Sequence, residues 1–345
     1  MTRTTRRAEA PKARRRIVIG AMLLCIGLPP LFVLINAASF YSVNRTSGTI
    51  VTSAGQTREY ILYVPNSYDR SKPTPLVISI HGAANWPSFQ MNLSQWSTLA
   101  DKHGFIVVYP AGEGGGPKTW HLEGRRTPSR MPDVVFISEL IDTLEASYNI
   151  DPARIYANGL SNGGGMTFAL SCTLSDRIAA FGPVAAAVTL PVDWCPDSRA
   201  APMIAFHGTA DRFTPYSGAK VWLAPEPFPG IPEWTASWAR RNRCAATPIE
   251  SAVAADVTRR AYTECADNAA VVLYTIEGGG HTWPGGPPMP AWLVGRTSRG
   301  VDATREMWAF FREHPLRRTQ ARQETPSFLS AASGQPVHSL TNTLP

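Results

Sequence analysis

Residues 159–163 read Gly-Leu-Ser-Asn-Gly, a G-x-S-x-G pattern that can present a serine as a nucleophile. An apolar run at residues 155–157 suits a buried strand before the pattern, and residues 166–170 are compatible with a helix after it. The flanking glycines let strand and helix approach closely around a strained turn, with the Ser161 hydroxyl exposed at its apex. The backbone N–H of Asn162 would then point to where an oxyanion forms. The alternative is a glycine-rich turn that only packs a strand on a helix.

A serine is a weak nucleophile without a base, and the base needs a carboxylate to orient it. Asp211 follows the apolar residues 202–206, and His281 follows the apolar residues 271–276, so each lies after a predicted strand. Because the carboxyl ends of parallel strands meet at one edge of a sheet, we expect both side chains to lie near Ser161. The chain order Ser, Asp, His is that of the α/β-hydrolase fold.

A second oxyanion donor is expected after another predicted strand, residues 75–80, which ends at His81 and Gly82. A backbone N–H within residues 82–85 would supply it, and we select that of Ala83. His207 lies inside the end of the strand before Asp211, so we expect it to pack behind the site.

Three other acidic residues are weaker candidates. Asp193 and Asp197 could also orient a histidine, but they fall in a cysteine-bearing loop and not at a strand end. Asp133 begins a helix that the apolar spacing predicts for residues 133–148, and it is most simply the N-cap of that helix. A role facing the substrate is the alternative for Asp133.

Two tryptophans and a histidine are expected to contact the substrate. Trp283 follows His281 by two residues and should lie at the mouth of the pocket. Trp120 and His121 lie in a long loop, residues 111–132, that could reach the same side. Flat aromatic walls suit an aromatic acyl group or a short hydroxyacyl unit. The alternative is that both tryptophans only pack their loops.

Predicted strands alternate with predicted helices from residue 41 to residue 315. This alternation indicates one α/β domain with a mainly parallel central sheet flanked by helices. The connections hold mostly proline and glycine, without a long amphipathic helix, so we expect no large lid. Residues 316–345 are rich in Ser, Thr and Pro and are expected to form a disordered tail.

Positive charge is concentrated at the N-terminus. The formal net charge is +7, and residues 1–16, with seven Lys or Arg and one Glu, account for +6 of it. The remaining +1 excludes a basic nucleic-acid surface. Residues 17–40 carry no charge, and 17–37 are long and apolar enough to cross a bilayer or to act as a signal peptide. Residues 1–40 are therefore expected to direct export, by cleavage or as a membrane anchor, and a buried helix is the alternative.

Cysteine usage agrees with export. The domain holds Cys172, Cys195, Cys244 and Cys265, which allow three pairings. Proximity in sequence favours Cys172 with Cys195 and Cys244 with Cys265. No C-x-x-C spacing occurs, so no metal site is predicted.

Four motifs together resemble the polyhydroxybutyrate depolymerase-like esterases, which are relatives of the feruloyl and acetylxylan esterases of carbohydrate esterase family one. The motifs are HG at 81–82, GLSNGGG at 159–165, HGTAD at 207–211 and GGGHTWPGG at 278–286. The resemblance covers roughly residues 47–312 and implies an α/β-hydrolase fold and exported ester hydrolysis. It implies Ser161 as nucleophile, Asp211 as acid and His281 as base. The family more often has two acidic residues where this chain has Pro132 and Asp133.

These features predict an exported serine esterase that acts on small or polymeric esters of the acetyl, short hydroxyacyl or feruloyl type. The predicted mechanism needs no metal and no organic cofactor. An envelope acyltransferase with the same triad and a non-catalytic envelope binding protein are the alternatives. No separate substrate-binding domain is evident in the sequence, which weighs against a polymeric substrate.

Overall fold

A ten-stranded sheet forms the centre of the protein. The computed structural model describes residues 47–114, 117–122, 131–197, 199–220 and 227–317. The strands are β1 (Ser47–Val51), β2 (Thr57–Tyr63), β3 (Thr74–Ile80), β4 (Ile106–Pro110), β5 (Ile150–Leu160), β6 (Ala180–Val184), β7 (Met203–Gly208), β8 (Ile249–Ala254), β9 (Val257–Tyr262) and β10 (Val271–Ile276). Their order across the sheet is β1-β2-β4-β3-β5-β6-β7-β10-β9-β8.

The six central strands, from β4 to β10 in this order, are parallel to one another. Antiparallel strands complete the sheet on each side, β2 and β1 on one and β9 and β8 on the other. The prediction of a mainly parallel α/β sheet is therefore confirmed. The edge strands β1 and β8 were not predicted, because β8 is exposed along most of its length and lacks a buried apolar face.

Seven helices flank the sheet in the described part of the chain. They are α1 (Pro87–Ser94), α2 (Trp96–His103), α3 (Pro132–Ser147), α4 (Asn162–Thr173), α5 (Ile231–Arg241), α6 (Ala291–Val294) and α7 (Ala303–Glu313). The helices predicted at residues 133–148 and 166–170 correspond to α3 and α4. The predictions missed α1 and α2, which are only eight residues long, and the single turn α6.

Each face of the sheet has its own apolar core. Every residue of β3 is buried, and its side chains alternate between the two faces. Leu76 and Ile78 pack in the core that includes α3, α4 and α5. Val77 packs in the core that includes α1, α2 and α7. The result is a three-layer sandwich whose central strands are covered on both sides, which is why they read as continuous apolar runs.

Two disulfides join segments that are close to each other in sequence. Cys172 is bonded to Cys195, and Cys244 is bonded to Cys265, which is the pairing that sequence proximity favours. Each closes a loop of about 20 residues, for which the chain-entropy relation gives about 3 kcal/mol of stabilisation.

The predicted export segment, residues 17–37, and nearly all of the predicted tail, residues 316–345, lie outside the described residues. Among the residues that the structure describes, no helix is long and apolar enough to cross a membrane. Nor does the described part of the chain contain a large lid over the carboxyl edge of the sheet.

Candidate active site

Ser161 occupies a strained turn between β5 and α4. Its φ and ψ are 57° and −119°, a conformation that side-chain-bearing residues rarely adopt. Gly163 is required beside it, because a Cβ there would lie 2.4 Å from the carbonyl oxygens of Ile80 and His81. The helix begins at Asn162, earlier than predicted, since three consecutive glycines are poor helix formers and only the packing of the turn holds them in a helix.

Asp211 and His281 form a buried hydrogen-bonded pair at the ends of β7 and β10. The Nδ1–H of His281 donates to Asp211 Oδ2 at 2.8 Å, which leaves Nε2 of the ring as the proton acceptor. The backbone N–H groups of Phe213 and Thr214 both donate to Asp211 Oδ1 at 2.9 Å. Burial alone would raise the pKa of Asp211, but the hydrogen bonds from the His281 side chain and from the backbone N–H of Thr214 help to outweigh it, so the pKa is lowered.

Thr214 connects this pair to the serine turn, a role that the sequence did not reveal. Its Oγ1 lies 2.8 Å from Asp211 Oδ2 and 3.1 Å from the carbonyl oxygen of Ala185. The residue before Ala185, Val184, accepts the backbone N–H of Ser161 at 2.9 Å. The end of β6 therefore bridges the serine turn and the Asp-His pair.

No hydrogen bond links Ser161 Oγ to His281 among the described residues. Bonds of this kind commonly become short and well aligned only when substrate is bound. The two residues are instead related through the end of β6, and both follow strands whose carboxyl ends form one edge of the sheet.

His207 packs behind the pair, as the sequence predicts. Its ring is buried, and its Nε2–H donates to the carbonyl oxygen of Thr214 at 2.7 Å. Burial lowers the pKa of His207, so the ring stays neutral next to the carboxylate of Asp211. This arrangement leaves His281 as the histidine with a ring nitrogen available for catalysis.

The loop after β3 lies against the serine turn. A Cβ on Gly82 would lie 3.5 Å from Ser161 Cβ. Of the predicted donors, the N–H of Ala84 faces Thr119 Oγ1 at 3.4 Å, and that of Asn85 donates to the carbonyl oxygen of Lys118 at 3.2 Å. Neither N–H is therefore available, which leaves Gly82 and Ala83 as candidates for the second oxyanion donor.

His81 fixes the path of this loop. Its Nδ1–H donates to the carbonyl oxygen of Gly82 at 2.7 Å, and its Nε2 accepts the N–H of Gly112 at 3.0 Å. Both ring nitrogens are thus used, and only the neutral ring with a proton on Nδ1 fits. Burial, the largest cause, lowers the pKa of His81 to about 4.

The side chains of Trp120 and Trp283, which the sequence predicts to contact the substrate, are both buried. The indole N–H of Trp120 donates to the carbonyl oxygen of His81 at 2.9 Å. The indole N–H of Trp283 donates to Thr304 Oγ1 at 2.9 Å, at the start of α7. The chain turns after His281 and carries Trp283 into the core between the sheet and α7, so both tryptophans pack their loops.

Two other residues face the solvent near the site. His121 is exposed, with its Nε2 3.8 Å from Glu113 Oε2, so its predicted substrate contact is sterically open. Phe213, which sequence reasoning missed, is 40% exposed, and its ring centroid lies 5.1 Å from that of His281. Its position two residues after Asp211 was the available signal.

The side chain of Asn162 links the serine turn to the loop that carries His121. Its Oδ1 accepts the N–H of Trp120 at 2.8 Å, and its Nδ2 donates to the carbonyl oxygen of Trp120 at 3.1 Å. The backbone N–H of Asn162, at the first position of α4, remains the predicted oxyanion donor.

A buried ion pair holds the same loop from the other side. Asp133 is not the N-cap of α3, a position that Met131 occupies; it lies in the first turn of the helix. Its Oδ1 is 2.6 Å from the Arg58 guanidinium, and its Oδ2 accepts the N–H of His121 at 2.6 Å. Arg58 also stacks on Phe136 with 4.2 Å between the guanidinium carbon and the ring centroid. The spacing of residues in α3 could not reveal a partner 75 residues away.

Within the described residues, no group of three or more His, Cys, Asp or Glu side chains could hold a metal ion.

Residues 58–192 match the family model described as esterase PHB depolymerase. The bifunctional acetylxylan esterase/xylanase XynS20E of Neocallimastix patriciarum is 33% identical over 169 residues, which cover 49% of this chain and 24% of that protein. Feruloyl esterase B of Piromyces equi is 31% identical over 235 residues, which cover 65% of this chain and 42% of that protein. The chain thus spans less than half the length of these two relatives. Its sequence resembles those of the polyhydroxybutyrate depolymerase-like, acetylxylan and feruloyl esterases.

The solved structure of an acetyl xylan esterase from Aspergillus awamori aligns with 77% of this chain and 99% of its own. The TM-score is 0.55 and the sequence identity 16%. This likeness shows the α/β-hydrolase fold.

The first prediction concerns the buried ion pair. Asp133→Ala should lower the free energy of unfolding by about 3–5 kcal/mol, because the buried Arg58 charge then keeps only a 3.8 Å contact with the partly exposed carboxylate of Glu113. Glu250→Ala is the matched control, since Glu250 pairs with Arg260 on the surface and its loss should cost less than about 1 kcal/mol. Urea unfolding measures both. Equal losses in the two variants would contradict this account.

The second prediction concerns pH. The pKa of His81 is about 4 in the folded protein, against an ordinary value of 6.5. As the pH falls, the unfolded protein therefore binds a proton at His81 before the folded protein does. Its neutral burial therefore costs nothing above pH 6.5 and destabilises the fold progressively between pH 6.5 and about 4, by about 3 kcal/mol in total. The His81→Asn variant has no such titration. The difference between the unfolding free energies of the wild type and the variant should therefore change with pH across this interval. Parallel curves would show that the pKa of His81 is the same in the folded and unfolded protein.

Proposed function

We propose that this chain is a serine esterase that hydrolyses carboxylic esters, with Ser161 as nucleophile, His281 as base and Asp211 as the orienting acid. The observation that supports this most strongly is the 2.8 Å hydrogen bond between His281 Nδ1 and Asp211 Oδ2, on the sheet edge that also carries the strained Ser161 turn. The tautomer that this bond requires gives His281 Nε2 the free lone pair that a general base needs. The sequence likeness to ester hydrolases supports the same reaction.

In the proposed reaction, Ser161 Oγ attacks the carbonyl carbon of the ester while His281 Nε2 accepts the hydroxyl proton. The negative charge on the former carbonyl oxygen is stabilised by the N–H groups of Asn162 and Ala83. The bond to the alcohol then breaks, and His281 returns its proton to the departing oxygen. A water molecule, deprotonated by the same histidine, attacks the acyl-enzyme and releases the acid and free Ser161.

Asp211 stabilises the imidazolium that forms in both steps. It remains ionised because its pKa is lowered, and two backbone N–H groups and Thr214 Oγ1 hold the carboxylate in place. His207, being neutral, adds no positive charge that would compete for it. Asp211 thus keeps the ring of His281 in one tautomer and one orientation throughout the cycle.

The proposed substrates are esters of acetyl, short hydroxyacyl or feruloyl type. Phe213 takes over the role that the sequence assigned to Trp283, because its partly exposed ring lies against His281 and can form a flat wall for the acyl group. His121 can contact the same substrate from the loop that Asn162 and Asp133 hold.

The proposed place of action is outside the cytoplasm. Two disulfides support this, since such bonds persist in oxidising compartments. Residues 17–37 would act as a cleaved signal peptide or as a membrane anchor, with the preceding basic residues on the cytoplasmic side.

The third prediction concerns the triad. Ser161→Ala should remove nearly all hydrolysis of p-nitrophenyl acetate and all labelling by a fluorophosphonate probe, with an unchanged circular dichroism spectrum. Asp211→Asn should lower kcat by about ten-thousand-fold, because an amide stabilises the wrong tautomer of His281. Ser171→Ala, on a buried serine further along α4, is the control that should keep its labelling. If Ser161→Ala retains more than a few per cent of the wild-type rate, Ser161 is not the nucleophile.

The fourth prediction separates the two aromatic residues. Phe213→Ala should lower the ratio of kcat/KM for methyl ferulate over p-nitrophenyl acetate roughly tenfold, the equivalent of one aromatic contact. Trp283→Ala should instead lower the free energy of unfolding by about 3–5 kcal/mol, because it empties a buried site. The kinetic ratio and urea unfolding are measured on both variants. A specificity change in Trp283→Ala without a loss of stability would restore the assignment made from sequence.

A further inference from the structure

A cavity of about 460 Å³ lies at the amino edge of the central sheet, opposite the edge that carries the candidate catalytic residues. Its wall includes Thr74 at the start of β3, Arg154 and Tyr156 on β5, and Trp308 and Arg312 on α7. The serine turn follows Tyr156 by five residues of β5, which is about 16 Å of extended strand. We call this feature the amino-edge cavity, and it is separate from the candidate active site.

Two buried polar atoms of this wall have no hydrogen-bond partner among the described residues. They are the hydroxyl oxygen of Tyr156 and the indole nitrogen of Trp308. The packing uses the rings and not the polar atoms, because Tyr156 stacks on Phe311 with 4.9 Å between centroids and Trp308 lies 4.1 Å from Phe105. A buried donor without an acceptor costs stability. The two atoms therefore indicate an acceptor that occupies the amino-edge cavity.

The charges on the wall show which kind of acceptor fits. Arg312 is exposed, and its guanidinium makes no ion pair or hydrogen bond in the described part of the chain. Arg154 pairs with Asp151 at 2.6 Å through Nε, and its Nη1 donates no hydrogen bond to a described residue. Asp69 is the only acidic residue among the described ones that line the cavity, and Lys72 pairs with it at 3.2 Å. The wall thus offers donors and an uncompensated positive charge, but no free carboxylate.

We propose that the amino-edge cavity binds the phosphate group of an anionic ligand. A neutral ligand would leave the charge of Arg312 unpaired, and a cation would be repelled by it. A phosphate group accepts hydrogen bonds on three terminal oxygens, which matches the separate donors on Arg312, Tyr156 and Trp308. Burial raises the pKa of Tyr156, so its hydroxyl stays protonated and can donate.

The volume of the cavity leaves room for more than the phosphate itself, since it lies in the range of small-molecule sites. A soluble phosphate monoester and a phospholipid head group share the chemistry that the wall selects. The inference does not depend on the proposed ester hydrolysis, because none of the residues that carry it belongs to the candidate active site.

Calorimetric titration of the natively produced full chain with glycerol 3-phosphate tests the charge. Arg312→Gln should raise the dissociation constant about tenfold or more, because it removes a charge-assisted hydrogen bond. Arg240→Gln is the matched control. Arg240 is likewise exposed near the end of a helix, α5, but that helix packs on the other face of the sheet. This control should bind glycerol 3-phosphate as the wild type does.

Tyr156→Phe tests the buried hydroxyl, since it keeps the stacked ring and removes only the oxygen. It should raise the dissociation constant about fivefold, the equivalent of one neutral hydrogen bond. Without ligand its Tm should equal or exceed that of the wild type, because no described group is bonded to the hydroxyl. Tyr109→Phe is the control: its hydroxyl lies 2.9 Å from Ser97 Oγ, so the variant should lose Tm and keep its affinity.

Vesicles that contain phosphatidylglycerol distinguish the two sources of phosphate. Any contribution of residues 17–37 to vesicle binding is the same in all of these proteins. Binding of glycerol 3-phosphate that Arg312→Gln weakens supports a soluble ligand. Vesicle binding alone, weakened by both Arg312→Gln and Tyr156→Phe, supports a lipid head group.

Three results would overturn the proposal. The first is that the wild type binds neither glycerol 3-phosphate nor the vesicles. The second is that it binds acetate as tightly as glycerol 3-phosphate, which would mean that any small anion is accepted. The third is that Arg312→Gln and Arg240→Gln have equal affinities, or that Tyr156→Phe lowers the Tm without ligand and leaves the affinity unchanged.

Discussion

The close approach of the serine turn to the end of β3 is the constraint on which the site depends. There is no space for a side chain at Gly163, whose Cβ would collide with the carbonyl oxygens of Ile80 and His81. Because that space is closed, the first turn of α4 lies directly against the loop that begins at Gly82. Three hydrogen bonds hold the strained backbone of Ser161: its N–H donates to the carbonyl oxygen of Val184, and its own carbonyl oxygen accepts the N–H groups of Gly165 and Ala187. The fold therefore supplies the energy that keeps a serine in a conformation it would not adopt alone.

The buried polar side chains of His81 and Asp211, beside this turn, are hydrogen-bonded. His81 uses both ring nitrogens on backbone groups, and the carboxylate of Asp211 accepts hydrogen bonds from two backbone N–H groups and from His281. Burial without these bonds would cost several kcal/mol for each group. The consequence is functional as well as structural. The buried rings of His81 and His207 remain neutral, and Nε2 of His281 makes no hydrogen bond among the described residues.

The long loop that carries His121 is held from two directions. The amide of Asn162 binds the backbone of Trp120, and the carboxylate of Asp133 binds the backbone of His121. One contact comes from the serine turn and the other from an ion pair with Arg58 on β2. Both tryptophans near the site serve in packing, and the apolar groups that face solvent there are Phe213, Trp292 and Leu293. Hydrogen bonds and an ion pair thus hold the interior of the site, while exposed apolar side chains lie at its rim.

The sequence by itself determined the mainly parallel character of the central sheet and the identity of the three candidate catalytic residues. Continuous apolar runs mark strands buried on both faces, and a Ser, an Asp and a His each follow such a run. Those signals are local, so they can be read from neighbouring residues. Only the tertiary structure decided which side chains near the candidate site are exposed. Trp283 is two residues from His281 yet enters the core, and Phe213 lies against the same ring from a different loop. The Arg58–Asp133 pair and the bonds of Asn162 to Trp120 were equally hidden, because they join residues 75 and 42 positions apart. Side-chain direction and long-range pairing depend on how loops fold back on the sheet, and no local pattern encodes that path.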